Sequence, residues 1–492
     1  MSQLPPNLYR AAQVRELDRR AIEEQHIPGL ALMERAGAAT FQAALERLPN
    51  ARNWLVICGT GNNGGDGYIV ARLAHEAGKN VLVYQAGDAA RLRGDALAAA
   101  QCLSATDVPV VDTCPDLSRF DLIIDALLGT GLQGEVSDHY RTVIDQVNAT
   151  GLPVVAVDIP SGLQADTGAV LGAAIKAQLT VTFIGMKQGL LTADGPEYCG
   201  EIRFADLGVP AAVYEALTPS ARILRYAALQ HLLKRRRRNT HKGESGHVLL
   251  VGGDSGYSGA VILAGEAALR VGAGLVSVAT RESHAALITT QRPELMCHGI
   301  EDSAHLADLL GKADVVAIGP GLGRSAWAES LLAAVPATDL PLVVDADALN
   351  LLSQRHQHRD NWILTPHPGE AGRLLGTDSK QVQQDRFAAC TALQSEYGGI
   401  VVLKGAGSLV CGGSDTMGVC IHGNPGMAVG GMGDVLTGVI AGLLAQGLGP
   451  ADAAKLGVCL HSLAADDAVQ HGGERGLLAG DLMAPLRRRV NE

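Results

Sequence analysis

The sequence has few aromatic residues, no C-x-x-C cysteine pair, no long apolar run and no excess of basic charge. Aromatic residues make up 3% of its 492 residues, so aliphatic and small side chains must fill its cores. The nine cysteines are odd in number and unpaired in spacing, which argues against a disulfide framework or a zinc site. No apolar stretch approaches the ~20 residues that span a bilayer. The formal net charge of -11 argues against nucleic acid or an anionic membrane as the main partner.

The first residues, Met-Ser-Gln-Leu-Pro-Pro, lack the charged region and apolar core of a signal peptide. Together with the unpaired cysteines, this favours a cytoplasmic protein in a reducing environment.

The residues that are present indicate an α/β protein of two domains. Single cores stop growing at roughly 250–300 residues, so a chain of this length predicts at least two. Residues 8–48 have the pattern of two amphipathic helices joined near Pro28-Gly29. Short apolar runs that end in glycine loops then alternate with helical patterns, which is typical of a doubly wound parallel sheet. Strands are predicted at Trp54–Cys58, Val81–Tyr84, Leu122–Ile124, Val154–Val157, His247–Gly253, Leu275–Ala279, Val315–Ile318, Leu342–Asp345, Trp362–Leu364 and Ile400–Leu403.

The alternation lapses between about Leu217 and Gly246, where we expect the domain boundary. Pro219 precedes a predicted helical stretch, which is followed by the basic run Lys234–Arg238. That run fits either a phosphate-binding patch or a solvated charged segment beside a linker, and the second interpretation is preferred. We divide the chain into residues 1–222 and 223–492.

The loop Gly59–Gly67 follows a predicted strand and opens a helix. Its five glycines allow a tight turn that brings backbone amides close to a ligand, and the helix N-terminus favours phosphate. The spacing departs from G-x-G-x-x-G, so an ordinary dinucleotide-binding motif is poorly supported. Two asparagines and an aspartate add oxygen atoms that could hold a cation.

Two further segments, Asp125–Gly131 and Asp158–Gly162, also follow predicted strands. Ligands bind at the carboxyl ends of strands in open α/β sheets, so these segments and the first loop should converge. Lys187 follows another apolar run. It is either a functional lysine or an exposed lysine at a strand end.

The motifs Gly59–Gly67, Asp125–Gly131 and Asp158–Gly162 resemble those of the NAD(P)H-hydrate epimerase (YjeF N-terminal) family. The resemblance implies a three-layer Rossmann-like fold for residues 1–222, a bound potassium ion and a hydrated nicotinamide dinucleotide as ligand. It also implies that Asn63, Asp125 and Ser161 hold potassium and that Asp158 is an acid/base residue, with Lys187 a weaker candidate. The implied substrate contacts are Asn62, Asn63, Gly64, Gly65, Asp66, Gly129, Thr130, Gly131, Leu132, Gln133, Gly134, Glu135 and Asp158.

In the second half, four motifs lie at predicted strand or helix ends, and one convergent site is the simplest interpretation. They are Gly319–Gly323, Thr365–Glu370, Lys404–Ser408 and Asn424–Asp434. The last contains Gly430-Gly431-Met432-Gly433-Asp434 before a long apolar helix, predicted over about 434–446. Successive amides before a helix bind an oxyanion, and an aspartate on the first turn could deprotonate a substrate hydroxyl. His367, between two prolines and near Glu370, is either a turn residue or a ligand-facing group, and the second is favoured.

These motifs resemble the ribokinase-like superfamily and, within it, the ADP/ATP-dependent NAD(P)H-hydrate dehydratase family. Related small-molecule kinases more often carry a small or hydroxyl residue where Met432 stands. The resemblance implies a nucleotide site at Lys404, Gly405, Ala406, Gly407, Ser408 and Gly433. It implies a hydrate site at Gly321, His367 and Asp434, with Mg²⁺ beside the ADP phosphates.

The order of the halves resembles that of bacterial bifunctional repair enzymes, which implies two linked reactions. One half would interconvert R- and S-NAD(P)H hydrate; the other would dehydrate the S epimer with ADP, giving AMP and phosphate. The alternatives are a ribokinase-like small-molecule kinase with an accessory nucleotide-binding domain and a non-catalytic nucleotide-binding regulator. We expect small-molecule partners only, and a homo-oligomer in which helices rich in glycine and alanine pack between subunits.

Overall fold

The computed structural model describes residues 4–335, 338–413 and 415–492. The chain divides into two compact units, residues 1–222 and 223–492, each built of parallel strands and helices. Among the described residues, no helix combines the length and apolar character that a bilayer span demands.

The first unit is built of short strands and helices that follow one another along the chain. Its strands are β1 (Asn7–Tyr9), β2 (Asn53–Cys58), β3 (Asn80–Gln85), β4 (Val110–Val111), β5 (Leu122–Ala126), β6 (Val154–Val157), β7 (Leu179–Phe183), β8 (Met186–Lys187), β9 (Glu201–Ala205) and, at the boundary, β10 (Ala221–Ile223). Its helices are α1 (Ala11–Glu23), α2 (Gly29–Arg47), α3 (Asn62–Glu76), α4 (Gly94–Ser104), α5 (Asp138–Thr150), α6 (Gly195–Cys199) and α7 (Ala212–Glu215).

The main sheet of this unit is parallel throughout, in the order β4-β3-β2-β5-β6-β7-β9. Its strand order reverses between β2 and β5, which is where open α/β sheets form a crevice at their carboxyl edge. Alternate residues of β2 face opposite sides of the sheet. Trp54 and Val56 pack in a core with residues of α2 and α3, and Leu55 and Ile57 pack in another with residues of α5. Both faces are therefore covered, as in a three-layer Rossmann-like fold.

The second unit is a larger α/β structure. Its strands are β11 (His247–Val251), β12 (Leu275–Thr280), β13 (Met296–Gly299), β14 (Val315–Ile318), β15 (Leu342–Val344), β16 (Trp362–Leu364), β17 (Ile400–Leu403), β18 (Ser408–Cys411) and β19 (Met417–Cys420). Its helices are α8 (Tyr226–Leu229), α9 (Ser258–Val271), α10 (Glu282–Gln291), α11 (Ala304–Leu310), α12 (Ala326–Ala334), α13 (Ala346–Leu352), α14 (Pro368–Leu374), α15 (Ser379–Gln384), α16 (Arg386–Tyr397), α17 (Met432–Ala445), α18 (Pro450–Gly472) and α19 (Met483–Arg489).

Strands β13-β12-β11-β14-β15-β16-β17 are parallel in this order, and β18 and β19 continue the sheet antiparallel. The order reverses between β11 and β14, so a second crevice is expected there. Helix α17 is apolar almost throughout because it lies inside this unit. Its Gly438 permits close packing on α9, since a Cβ there would lie 2.0 Å from the carbonyl oxygen of Ala264.

Most predicted elements are confirmed, some with the predicted bounds, such as β6, β14, β16 and β17. The prediction of a helix directly after Pro219 was wrong, because the chain first forms β10 and then the short helix α8. Helix α17 begins two residues earlier than predicted because Gly431 caps it in the left-handed conformation, with φ of 93°. All five residues of the basic run Lys234–Arg238 are exposed, as the solvated-segment interpretation expects.

Candidate active sites

The first glycine loop joins β2 to α3 and packs against the end of β5. Gly61 caps α3 in an extended conformation, so the amides of the following residues stand at the helix N-terminus. The loop is too compact for side chains at two positions. A Cβ on Gly59 would lie 1.9 Å from the carbonyl oxygen of Leu127, and one on Gly64 would lie 2.1 Å from that of Gly59.

The three predicted potassium ligands come together beside this loop. The Ser161 hydroxyl donates to Asp125 Oδ1 at 2.6 Å, and the Ser161 amide donates to Asp125 Oδ2 at 2.8 Å. The Asn63 side-chain amide donates to the carbonyl oxygen of Leu128 at 3.2 Å, and that oxygen also lies 3.2 Å from Ser161 Oγ. Carboxylate, hydroxyl, amide and carbonyl oxygens thus gather in one place.

This cluster fits a hard monovalent cation. Asp125 is 1% exposed, and burial raises its pKa to about 6 even though three hydrogen bonds favour the carboxylate. A buried carboxylate without a neighbouring cation is unfavourable, and an ion bound to these oxygens would supply the missing positive charge. Asn63, Asp125 and Ser161 are therefore the residues that could hold K⁺.

Asp158 lies at the end of β6 and forms an ion pair with Lys187 on β8. Lys187 is fully buried, so the alternative of an exposed lysine was wrong. The Thr182 hydroxyl and the Phe183 amide also donate to Asp158 Oδ1, each at 3.2 Å. Asp158 has a φ of 67°, a region that non-glycine residues seldom occupy outside functional sites. All three donors reach Oδ1, which leaves Oδ2 available to a ligand.

Two further carboxyl groups, Asp18 and Asp66, interact electrostatically with this ion pair. Burial and the negative charge of Asp158 raise the pKa of Asp18 to about 6, although Lys187 opposes this. Burial raises the pKa of Asp66 well above its usual range, and Asp158 and Asp18 add to the shift. Asp18 was missed from the sequence because an aspartate on an amphipathic helix carries no motif.

The predicted contact segment 129–135 lies between β5 and α5, and much of it is exposed. Gly129 borders the group of oxygen atoms around Asp125, since a Cβ at Gly129 would lie 3.1 Å from the Cβ of Asn63. Glu135, at the end of the segment, forms an ion pair with Arg141 at 3.3 Å. The structure therefore brings the start of the segment to the site and leaves its end at the surface.

In the second unit, Asp434 stands on the first turn of α17, as predicted. Burial raises its pKa to about 7, and the charges of Asp345, Asp347 and Glu370 add to this while Lys404 opposes it. A carboxylate with a pKa near the working pH can accept a proton and still exist in its basic form.

Lys404 follows β17 and lies among acidic groups. Its Nζ is 2.8 Å from Asp345 Oδ1 and 3.8 Å from Glu370 Oε2. These carboxylates raise the pKa of Lys404 despite its burial, so the ammonium group stays charged. A Cβ on Gly433 would lie 3.3 Å from Lys404 Nζ, which places the amide loop directly beside the lysine. Two of the predicted motifs are therefore in contact.

The predicted nucleotide loop, Lys404 to Ser408, is the hairpin turn between β17 and β18. It rests on Arg386, which is fully buried. The Arg386 guanidinium donates to the carbonyl oxygens of Leu403, Lys404 and Gly407 at 3.2 to 3.5 Å. The Lys404 amide also donates to the carbonyl oxygen of Pro366 at 2.9 Å, which brings the Thr365–Glu370 motif to the same place.

His367 caps α14. Its Nδ1 accepts from the amides of Gly369 at 3.0 Å and Glu370 at 3.4 Å, and Glu370 Oε2 accepts from the His367 amide at 2.8 Å. The ring proton is therefore on Nε2, which lies 3.3 Å from Glu370 Oε1. Burial and nearby Lys404 lower the pKa of His367 and keep the ring neutral. His367 therefore caps the helix, and because its ring is half exposed, its role as a ligand-facing group stays a prediction.

The other predicted motifs are held by different elements. Gly321 has a φ of 57°, and a Cβ there would lie 2.6 Å from the carbonyl oxygen of Tyr257. The Gly323 amide donates to Asp347 at 3.0 Å. Asn424 is held by α18, where its side-chain amide donates to Asp466 at 3.0 Å. The Gly319–Gly323 loop is therefore linked to Asp434 through Asp347, whereas the start of the Asn424–Asp434 motif is anchored on α18.

Comparisons with known proteins identify a matching family for each half of the chain. Residues 29–189 match the family model described as YjeF-related protein N-terminus, and residues 248–488 match that of NAD(P)H-hydrate dehydratase. A ribokinase-like superfamily protein of Enterococcus faecalis has a structure with 31% identity and a TM-score of 0.52, covering 56% of this chain and 97% of that one. A hypothetical protein of Streptococcus mutans has 33% identity and a TM-score of 0.51, covering 55% and 98%.

Curated relatives match over the full length. The bifunctional NAD(P)H-hydrate repair enzyme of Coxiella burnetii is 52% identical over 485 residues, covering 98% of this chain and 99% of that protein. The enzyme of the same name from Escherichia coli is 45% identical, covering 99% and 95%. These similarities span both halves, so they support the repair function and not the small-molecule kinase alternative. The chain belongs to the family of bifunctional NAD(P)H-hydrate repair enzymes, with an epimerase domain of the YjeF N-terminal type followed by a dehydratase domain.

Proposed function

We propose that residues 223–492 dehydrate the S epimer of NAD(P)H hydrate with ADP, and that Asp434 is the general base. The observation that carries this is the position of Asp434, whose raised pKa suits proton transfer, beside the amide loop and the charged Lys404. Asp434 takes the proton of the C6 hydroxyl, whose oxygen attacks the β-phosphorus of ADP. The phosphoryl group is transferred to that oxygen and AMP is released.

The second half of the reaction breaks the bond between C6 and the phosphate oxygen. The lone pair of the adjacent ring nitrogen forms a double bond to C6 as inorganic phosphate leaves. Loss of a proton from C5 then restores the C5–C6 double bond of NAD(P)H. The backbone amides at the start of α17 and the Lys404 ammonium stabilise the negative charge that moves through the site.

We assign the predicted groups of this unit to two subsites. The hairpin residues Lys404, Gly405, Ala406, Gly407 and Ser408, with Gly433, bind the nucleotide, while Gly321, His367 and Asp434 bind the hydrate. Mg²⁺ would balance phosphate charge. The described residues form no cluster of three or more histidine, cysteine or acidic ligands, so a magnesium ion would depend on phosphate and water oxygens.

Residues 1–222 are proposed to interconvert the two epimers at C6. The hydroxyl leaves as water when a carboxylic acid protonates it and the ring nitrogen supplies electrons, and water then adds to the other face. Asp158 is the acid/base residue, and its ion pair with Lys187 fixes its orientation. Burial also raises the pKa of Asp66, a second carboxyl group that interacts with Asp158. The loop residues Asn62 to Asp66 and Gly129 to Glu135 bind the substrate.

We further propose that K⁺ binds Asn63, Asp125 and Ser161 and holds the loops of the epimerase site together. The support is the gathering of oxygen atoms around a buried carboxylate. We also propose that the protein is cytoplasmic, and that its partners are small molecules, since the net charge of -11 disfavours nucleic acid. We expect a homo-oligomer, which light scattering can test.

Two variants test the division of labour. Asp434→Asn should abolish the recovery of NADH from its hydrate while the epimers still interconvert. Asp158→Asn should leave one epimer convertible and stall the other. If Asp158→Asn converts both epimers at the wild-type rate, the epimerase assignment is wrong.

A further inference from the structure

Asp345 is a fully buried carboxylate that none of the predicted motifs included. It directly follows β15 and is 1% exposed. Its two oxygen atoms bind different elements. Oδ1 accepts from Lys404 Nζ at 2.8 Å, and Oδ2 accepts from the Thr437 hydroxyl at 2.8 Å. A carboxylate held by two donors at these distances has a fixed orientation.

The two partners lie on different elements, the hairpin turn after β17 and helix α17. Lys404 begins the hairpin turn that we assign to the nucleotide. Thr437 is fully buried on α17, three residues after Asp434 and therefore on the same side of the helix. A Cβ on Gly433 would lie 3.5 Å from Asp345 Oδ2, so the amide loop also touches this carboxylate.

The backbone around Asp345 is itself constrained. Ala346, the next residue, has a φ of 48°, which an alanine adopts only when its surroundings impose it. Gly319 lies so close that a Cβ there would be 1.8 Å from the carbonyl oxygen of Asp345. These restraints determine where the carboxylate points before any ligand binds.

We propose that Asp345 is a positioning residue of the dehydratase, which fixes the nucleotide hairpin relative to the helix that carries the general base. The transferred phosphoryl group must lie between Lys404 and the hydroxyl that Asp434 activates, and small errors in this distance slow the reaction strongly. This inference rests on the proposed role of Asp434.

Asp345 also contributes negative charge to the surroundings of Asp434. The charged groups that act on Asp434 are Asp345 and Asp347 next to β15, Glu370 on α14 and Lys404 after β17. Removal of the Asp345 charge should therefore lower the pH at which Asp434 becomes active. Loss of the Thr437 hydroxyl removes a hydrogen bond and no charge, so it should leave that pH unchanged.

Four variants of the full-length chain separate these effects: Asp345→Asn, Thr437→Val, Thr437→Ser and Asp434→Asn. Dehydratase turnover is measured against pH, and ADP binding is measured by calorimetry. The epimerase activity of the same samples reports that the first unit is intact, and the thermal midpoint of the second unit reports its folding. Valine matches the shape of threonine but cannot donate, whereas serine retains the donor.

We expect Thr437→Val to lower kcat roughly tenfold at an unchanged pH midpoint and with unchanged ADP affinity, because one hydrogen bond to a charged group is lost. Thr437→Ser should stay close to wild type. Asp345→Asn should lower kcat further, weaken ADP binding and move the acidic midpoint to lower pH.

The inference is overturned if Asp345→Asn keeps the wild-type kcat and midpoint, or if Thr437→Val and Thr437→Ser lose activity equally. Asp434→Asn distinguishes the underlying assignment. If it stays active, the proposed base is wrong; if it is inactive while Asp345→Asn behaves as wild type, only the positioning role fails.

Discussion

At the scale of single residues, the properties of both sites depend on carboxylates placed where their charge is unfavourable. Asp434 and Glu370 have pKa values raised to about 7, and Asp125 and Asp18 to about 6, in each case chiefly by burial. Buried carboxyl groups with raised pKa values are typical of sites where a proton is transferred or a cation is bound.

The raised pKa of Asp434 predicts how dehydratase activity depends on pH. A general base acts only when it is deprotonated, so kcat/KM should rise with pH through about 7 and then level off. Below that midpoint the rate should fall about tenfold for each pH unit. Steady-state rates at saturating ADP test this. A flat profile across this range would contradict Asp434 as the base.

The raised pKa of Asp125 predicts how the first unit responds to K⁺. A carboxyl group whose pKa rises on folding stabilises the protein at low pH and loses this contribution as pH rises from about 4 through about 6. Without a cation, ionised Asp125 should cost on the order of 3 kcal/mol at neutral pH. Potassium should remove that cost.

Thermal unfolding of wild type and Asp125→Asn, in potassium chloride and in choline chloride of equal ionic strength, measures the effect. Wild type should gain stability from K⁺ at neutral pH and gain little near pH 5, about one unit below the pKa. The Asp125→Asn variant should be equally stable in potassium chloride and in choline chloride. Equal responses of both proteins to K⁺ would place the ion elsewhere.

Residues that lie in recurring motifs could be identified from the sequence. Residues that position those motifs could not. Asp434, Asp158 and Asn63 stand in glycine-rich segments whose chemistry can be interpreted without a structure. Asp345 is an ordinary aspartate after a strand, and its importance lies in contacts 59 and 92 residues away along the chain. Such long-range contacts leave no local pattern.

At the scale of secondary structure, the nucleotide hairpin between β17 and β18 depends on a buried arginine on α16. Arg386 donates to three carbonyl oxygens of this turn and to Gln383 Oε1 at 2.7 Å. A Cβ on Gly405 would lie 2.7 Å from the guanidinium, so the turn fits closely over it. Arg386 therefore fixes the shape of the turn that we propose binds the nucleotide.

Replacing Arg386 should damage the ADP site selectively. Arg386→Met keeps most of the volume but removes the hydrogen bonds that the guanidinium donates to these carbonyl oxygens, so KM for ADP should rise roughly tenfold or more. Epimerase activity should not change. Arg355→Met is the matched control, because Arg355 is largely exposed and pairs with Glu329 at the surface. Equal effects of the two substitutions would show that the hairpin does not need Arg386.

Buried parallel strands were the elements that the sequence predicted best, because their continuous apolar runs end in glycine loops. The antiparallel pair β18 and β19 was not predicted, since these four-residue strands contain glycine or cysteine and lie close to polar turns. Strand β4 has two residues and no apolar run to detect. Local patterns therefore gave most of the interior strands, but β7 inside the first sheet was also not predicted, since threonines alternate with its apolar residues.

At the scale of the whole molecule, the chain combines two activities, and we propose that their common substrate diffuses between the two sites. The two units are compact by themselves, and each proposed site lies at the carboxyl ends of parallel strands in its unit. Linkage of the two activities in one chain ensures that both are made together.

The two sites should therefore complement each other between molecules. A mixture of Asp158→Asn and Asp434→Asn, each inactive in one step, should convert both epimers completely, because the hydrate leaves one protein and enters the other. Each variant alone should fail to do so. Failure of the mixture, with each variant still active in its remaining step, would mean that the substrate passes only within one chain.

The most direct test of the account is the fate of an epimer mixture of NADH hydrate incubated with the full-length enzyme, ADP and Mg²⁺. Near-ultraviolet absorbance reports the reduced nicotinamide, and phosphate and AMP are measured in the same sample. If the chain carries both activities, all of the absorbance returns and one phosphate and one AMP appear for each NADH. A stable phosphorylated product, or recovery from only one epimer, would contradict it.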